Sequence, residues 1–165
     1  MTALSVYCAG SSDPACLPRI YWAMVELERA GIRVVSTWPQ NVASVGAANP
    51  RDASSDQRED WMRECLRQIE SADVLWFVVP SPQTTRGAWI ELGYAYALGK
   101  TIVSSGDTLQ SIGCALGHEF GTDAGALGFL VKYAGSRARR DAPPVDVDLV
   151  AIDDGPTPLE PEKHA

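Results

Sequence analysis

Long apolar runs are missing from this chain. None of its 165 residues lies in a run approaching the ~20 residues of a membrane-spanning helix, and the first residues lack the basic and apolar segments of a secretory leader. A cytoplasmic protein with no membrane partner is expected. Paired-cysteine spacing is missing too: Cys8, Cys16, Cys65 and Cys114 form no C-x-x-C and lie in apolar contexts. Reduced, buried thiols are therefore expected rather than a disulfide frame or a metal site. Histidine is scarce, and His118 has no Ser or Cys at a spacing suggesting a catalytic relay, so it reads as surface or packing. Positive charge is in deficit, 14 Lys and Arg against 21 Asp and Glu, which argues against a nucleic-acid polymer and for a small ligand or a protein partner.

What is present is a globular composition at the length of one domain, without internal repeats. Leu4 to Cys8 is a short apolar run stopped by Ala9 to Pro14, the pattern of a buried strand ending in a turn. Pro18 opens a segment with Leu17, Ile20, Met24 and Leu27 at helical spacing, closed by Gly31. Ile32 to Trp38 is β-branched and predicts a second strand, followed by a long loop to about Ser55. From Asp56 the pattern is helical again, with Met62, Cys65, Leu66 and Ile69 in one stripe. The unbroken run Val74 to Val79 predicts a strand buried on both faces, the centre of a parallel sheet. Further helices are expected over 87–98, 108–116 and 122–133, and a strand over 101–104.

This alternation predicts a single α/β domain over residues 1–133: a doubly wound, flavodoxin- or Rossmann-like parallel sheet of about five strands, with helices on both faces. Residues 134–165 carry Arg137, Arg139, Arg140 and then an acidic, proline-rich stretch, and are expected to be mostly irregular, except that Val145 to Ile152 would add an edge strand or grip a neighbouring subunit.

Ligands of such sheets sit beyond the carboxyl ends of the strands. That rule selects Gly10, Ser11 and Ser12, then Trp38, then residues 81–87, and the helix starts that face this edge. Two sets of carboxylates approach it: Asp56, Glu59 and Asp60, and Glu91. A Glu expected in a helix's first turn is held ionised by the dipole and can attack an electrophilic sugar carbon, although ordinary helix-start chemistry also places Glu there. Trp38 would stack a base or simply pack, and Asp73 would order the turn into the central strand.

The segment from Arg86 through Gly87, Glu91-Leu92-Gly93, Ala95 and Gly99-Lys100, preceded by Ser71-Ala72-Asp73-Val74, closely resembles the nucleoside 2-deoxyribosyltransferase-like superfamily. Val6 to Ser11 also looks like that family's first strand and loop, and the resemblance runs from about residue 4 to 133. It implies a nucleoside or nucleotide substrate, cleavage or exchange of its N-glycosidic bond, no metal or redox cofactor, and a homodimer or higher oligomer. Glu91 falls on the family's nucleophile, Tyr7 on a strand Tyr that hydrogen-bonds it, and Ser111 on a position presented to the neighbouring subunit. On that mapping Gly87 lets the backbone approach the sugar and Gly93 allows close helix packing.

Ser11 and Ser12, with N–H groups at the next helix start, would hold a 5′-phosphate or form a plain turn. Two positions depart from the pattern. Cys65 stands eight residues before Asp73, where the family has an Asp that protonates the base, and reads as a core thiol or a weak proton donor. Asp60 and Glu64 are the nearest substitutes. Thr85, six before Glu91, replaces an Asp that some transferases carry, so base recognition differs. The alternative is a non-catalytic nucleotide-binding or sensing module of the same fold.

Overall fold

The computed structural model describes residues 3–44, 53–80, 86–108 and 111–140. Val74–Val78 (β3) is buried at every position and lies at the centre of a five-stranded sheet. β1 (Ser5–Ala9) and then β2 (Arg33–Val34) lie on one side of it, and β4 (Thr101–Ser105) and then β5 (His118–Phe120) on the other. Every pairing is parallel, with Tyr7 opposite Leu75 and Leu75 opposite Ile102. The order β2-β1-β3-β4-β5 is that of flavodoxin-like folds, whose chain direction across the sheet reverses between β1 and β3. The sheet is layered as expected: α1 (Leu17–Arg29) packs with α5 (Asp123–Arg140), and α3 (Ser55–Ser71) packs with α4 (Gly87–Ala97).

Local chemistry sets the element ends. Ser54 and Gln57 form a capping box at the start of α3: Ser54 Oγ accepts the Gln57 N–H at 3.2 Å, and Gln57 Oε1 accepts the Ser54 N–H at 2.9 Å. At the end of α1, Gly31 adopts φ 73°, so that its N–H reaches the Glu28 carbonyl and that of Ile32 the Leu27 carbonyl, a Schellman stop. Asp73 orders the entry to β3. Its carboxylate accepts the Ser5 N–H and hydroxyl and pairs with Arg137 at 2.8 Å. Burial opposes its ionisation, but the Ser5 and Arg137 donors hold it below the usual carboxylate range.

Several expectations are corrected. The second strand ends at Val34, and Trp38 opens a helix, α2 (Trp38–Ser44), inside the expected loop. The expected helix over 108–116 is only a 3-10 turn, Ile112–Leu116, and is followed by the unexpected strand β5. α5 continues past Tyr133 to Arg140, so Arg137 belongs to a helix tied to Asp73 rather than to an irregular tail. The possible edge strand at Val145 to Ile152 lies outside the described residues.

A polar strut fixes the carboxyl ends of β3 and β4. Arg19 donates to both Asp123 oxygens, from Nε at 2.8 Å and Nη2 at 2.7 Å, and to the Val79 carbonyl at 2.8 Å. Ser105 Oγ donates to Asp123 at 2.6 Å and accepts from Trp76 Nε1 at 2.8 Å. Asp123→Ala strands a half-exposed guanidinium and a buried hydroxyl at once. It is expected to cost about 2 kcal/mol, read as a fall in Tm of roughly 4–8 °C.

Candidate active site

In α4 the buried positions are Ala88, Glu91, Leu92 and Ala95, the i, i+3, i+4, i+7 stripe that faces the sheet. One of the four is a carboxylate, and its residue is only 6% exposed. Glu91 is the fifth residue of α4, so it lies beyond the first turn rather than within it, and the helix start contributes less to its charge than the sequence implied.

Strand alternation points Tyr7 of β1 to the face covered by α3 and α4, and its hydroxyl donates to Glu91 Oε1 at 2.8 Å. The apolar stripe of α3 brings Cys65 to the same place, within hydrogen-bonding reach of both Tyr7 and Glu91. Three helix and strand elements thus deliver a carboxyl, a phenol and a thiol to the β1/β3 switch point.

Burial dominates the electrostatics. It raises the Glu91 carboxyl to about 7, against the lowering effect of hydrogen bonds from Tyr7 and Cys65. Burial thus opposes the full ionisation expected of Glu91 from a helix-start position. Burial, then the Glu91 charge, lifts Tyr7 well above its usual value and Cys65 to about 12, so both stay protonated donors. A desolvated carboxylate steadied by two neutral donors is a competent nucleophile toward a sugar carbon.

A family model for nucleoside 2-deoxyribosyltransferases matches residues 6–127, more than half of the chain and including all three residues of this cluster. The chain belongs to the nucleoside 2-deoxyribosyltransferase family. No protein of curated function matches it by sequence. Among solved structures it is similar to a CMP N-glycosidase from Clostridium botulinum, with 19% identity and a TM-score of 0.50 over 78% of this chain and 98% of that one. A 2-deoxyribosyltransferase from Bacillus psychrosaccharolyticus gives 22% identity and a TM-score of 0.50 over 61% and 71%. A conserved protein from Enterococcus faecalis V583 gives 18% and 0.56 over 82% and 99%. At these identities the likeness is one of fold.

The other residues expected at this family's site divide. Trp38 is buried, and its indole N–H donates to the Cys8 carbonyl at 2.8 Å, so it braces the end of β1 and presents no open stacking face. Ser36 Oγ accepts the Cys8 N–H at 3.1 Å, so side chains take over where β2 stops pairing. Sequence reasoning missed Ser36.

Gly10 is required by close approach, because a Cβ there would meet Ile20 Cδ1 at 2.3 Å. Ser11 is buried, and its Oγ accepts the Asp13 N–H at 3.1 Å, a turn contact; Ser12 is half-buried. The start of α1 offers little to a phosphate. The Cys16 and Leu17 N–H groups both bond the Asp13 carbonyl, the Arg19 N–H bonds Cys16, and Pro18 has none.

Neither carboxylate offered as a substitute for the family Asp reaches the cluster. Glu64 accepts from Gln68 at 2.8 Å and pairs with Arg67 at 2.7 Å, and Asp60 is exposed. A Cβ on Gly87 would have room, with Met62 Cε nearest at 3.9 Å, and one on Gly93 would meet nothing within 4 Å, so Gly93 does not serve packing within the subunit. Ser111 caps the 3-10 turn, its Oγ accepting from the Gly113 N–H at 3.2 Å. Thr85 lies outside the described residues. No cluster of His, Cys, Asp and Glu suited to a metal occurs among the described residues, and no described helix is long and apolar enough to cross a membrane.

Proposed function

We propose that this chain cleaves the N-glycosidic bond of a nucleoside or its 5′-monophosphate, with Glu91 as the nucleophile. The observation that carries the reading is the buried Glu91 carboxyl in the inward stripe of α4, bonded by Tyr7 at 2.8 Å. A carboxylate there is costly to the fold, and such costs are concentrated at functional sites. In its ionised form Glu91 attacks C1′ as the C1′–N bond breaks and the bonding pair departs with the base. The glycosyl ester so formed is then opened by water or by a second base, which restores the carboxylate. Tyr7 holds the attacking oxygen in place. The related CMP N-glycosidase and 2-deoxyribosyltransferase represent those two fates of the sugar.

The test is chromatography of the protein with 2′-deoxynucleosides and their 5′-monophosphates, with and without a free acceptor base. Free base or exchanged nucleoside supports the reading. Tight binding by calorimetry with no product favours the alternative, a nucleotide-sensing module, for which the thiol at Cys65 speaks.

We also propose a homodimer joined through α4. Its inward face is covered, yet its outward face is apolar as well: Ile90 and Tyr96 are each 56% exposed, and Ile112 on the adjoining turn is 95% exposed. Gly93, with open space around it, lies between Ile90 and Tyr96 and would let a second helix approach closely. Light scattering is expected to give a dimer mass, and Ile90→Glu a monomer mass.

A further inference from the structure

Two features of the Glu91 environment bear on what kind of glycoside it accepts. The first concerns charge. Glu91 is only 6% exposed, and among the described residues no Lys, Arg or His contributes to its electrostatic surroundings. Its hydrogen-bonding partners among the described residues are the neutral donors Tyr7 and Cys65. A buried anion without a counter-charge is completed most favourably by a cationic ligand.

The second concerns protons. As the C1′–N bond of an ordinary nucleoside breaks, the base takes up negative charge, and a positioned acid that protonates it contributes about 10²–10⁴-fold. Tyr7 and Cys65 are too weak as acids for that task, and the nearby carboxylates of α3 are committed or exposed: Glu64 to Arg67 and Gln68, Glu59 to Arg63, and Asp60 to solvent. Residues 81–85 (Ser81, Pro82, Gln83, Thr84 and Thr85) contain no carboxyl group.

We infer that the site takes an N-glycoside whose base is already cationic, such as an N7-alkylated purine nucleoside or an N-glycosylpyridinium, and that Cys65 is the position that disfavours uncharged bases. This rests on Glu91 acting as the nucleophile. The Glu91 carboxylate forms the C1′–O bond, and the C1′–N pair passes to the ring, cancels its positive charge and leaves as a neutral base. No proton is transferred to the base in this step. Water then attacks C1′, its proton goes to solvent, and the carboxylate is released. The substrate's own charge supplies the counter-ion that the described residues do not.

The test compares 7-methyl-2′-deoxyguanosine with 2′-deoxyguanosine, and their 5′-monophosphates, at pH 7 with the full chain. The cationic member is expected to show a kcat/KM at least about 100-fold higher. Cys65→Asp, which installs an acid beside the leaving group, is expected to raise turnover of the uncharged member at least tenfold and so narrow the ratio. Cys65→Ser, a hydroxyl with no such acidity, is expected to leave the ratio in place. The ratio for the unaltered protein decides even if the Asp variant does not fold. Equal turnover within tenfold overturns the inference alone, since the uncharged base is then protonated efficiently at the site. Turnover of the uncharged member alone likewise overturns the inference alone, and failure to turn over either member overturns it together with the assignment of Glu91.

Discussion

Glu91→Gln is expected to abolish turnover, by at least about a thousandfold, while making the fold more stable at pH 8. Both effects come from one carboxyl group. In the unfolded chain it titrates near the ordinary value of 4.5, and in the folded protein burial raises it to about 7. Below the first value both states are protonated and Glu91 contributes no pH dependence. Between the two, the folded state keeps a proton that the unfolded state has released, so stability falls as pH rises. Above the second, both states are ionised and the fold carries the full cost of a buried anion, on the order of 3 kcal/mol.

The amide cannot ionise, so the variant escapes that cost. Its thermal midpoint is expected to exceed that of the unaltered protein at pH 8 and to approach it near pH 4.5. Thermal melts at the two pH values check this. Equal midpoints at both would mean that Glu91 ionises freely and is not the desolvated group described here.

Tyr7→Phe is expected to slow turnover at pH 7 by tens-fold and to move the acid limb of the pH–rate profile upward. The Tyr7 hydroxyl lowers the Glu91 value by donating to its carboxylate, so its loss leaves the carboxyl harder to ionise. Part of the lost rate should therefore return at higher pH, where Glu91 ionises again. Tyr7 itself stays protonated throughout, because burial and the Glu91 charge hold it well above its usual value. A loss of rate with an unmoved pH profile would reduce Tyr7 to packing, since a void at a fully buried position has no reason to shift a titration.

The parallel sheet was legible because its evidence is local. Val74 to Val78 is apolar at every position and framed by Asp73 and Pro80, and each helix beside it carries its own stripe. β5 was not legible: His118, Glu119 and Phe120 show no apolar alternation, and only Phe120 is even half-buried at this sheet edge. What holds the strand is backbone pairing with β4, and a Cβ on Gly117 would lie 2.3 Å from the Ile102 carbonyl. Trp38 was misplaced because the β-branched run outlasts the pairing of β2, while Pro39, suited to a first helical turn, went unused as a start signal. α5 outran its expected end through a tertiary contact, the Arg137 pair with Asp73.

At the candidate site, Glu91 was legible from its expected place near a helix start and from the Glu91-Leu92-Gly93 resemblance, whereas its membership of the inward stripe with Ala88, Leu92 and Ala95 emerges only in the fold. Its raised titration could not be read from spacing, because it comes from what β1 and α3 place around it. Cys65 was visible as part of an apolar stripe. That the stripe ends on Glu91 and Tyr7 required the register between α3 and β1.

The proposed mechanism turns on a covalent bond between Glu91 and the sugar. It is tested most directly by incubating the protein with 2-fluoro-2-deoxyarabinosyl nucleosides, both cationic and uncharged, whose fluorine slows release of the glycosyl ester, and measuring the intact mass. The expected result is one added fluoroglycosyl group per chain, mapped by peptide fragmentation to Glu91 and absent from Glu91→Gln. Release of the base with no added mass, or the same adduct on the Gln variant, would contradict it.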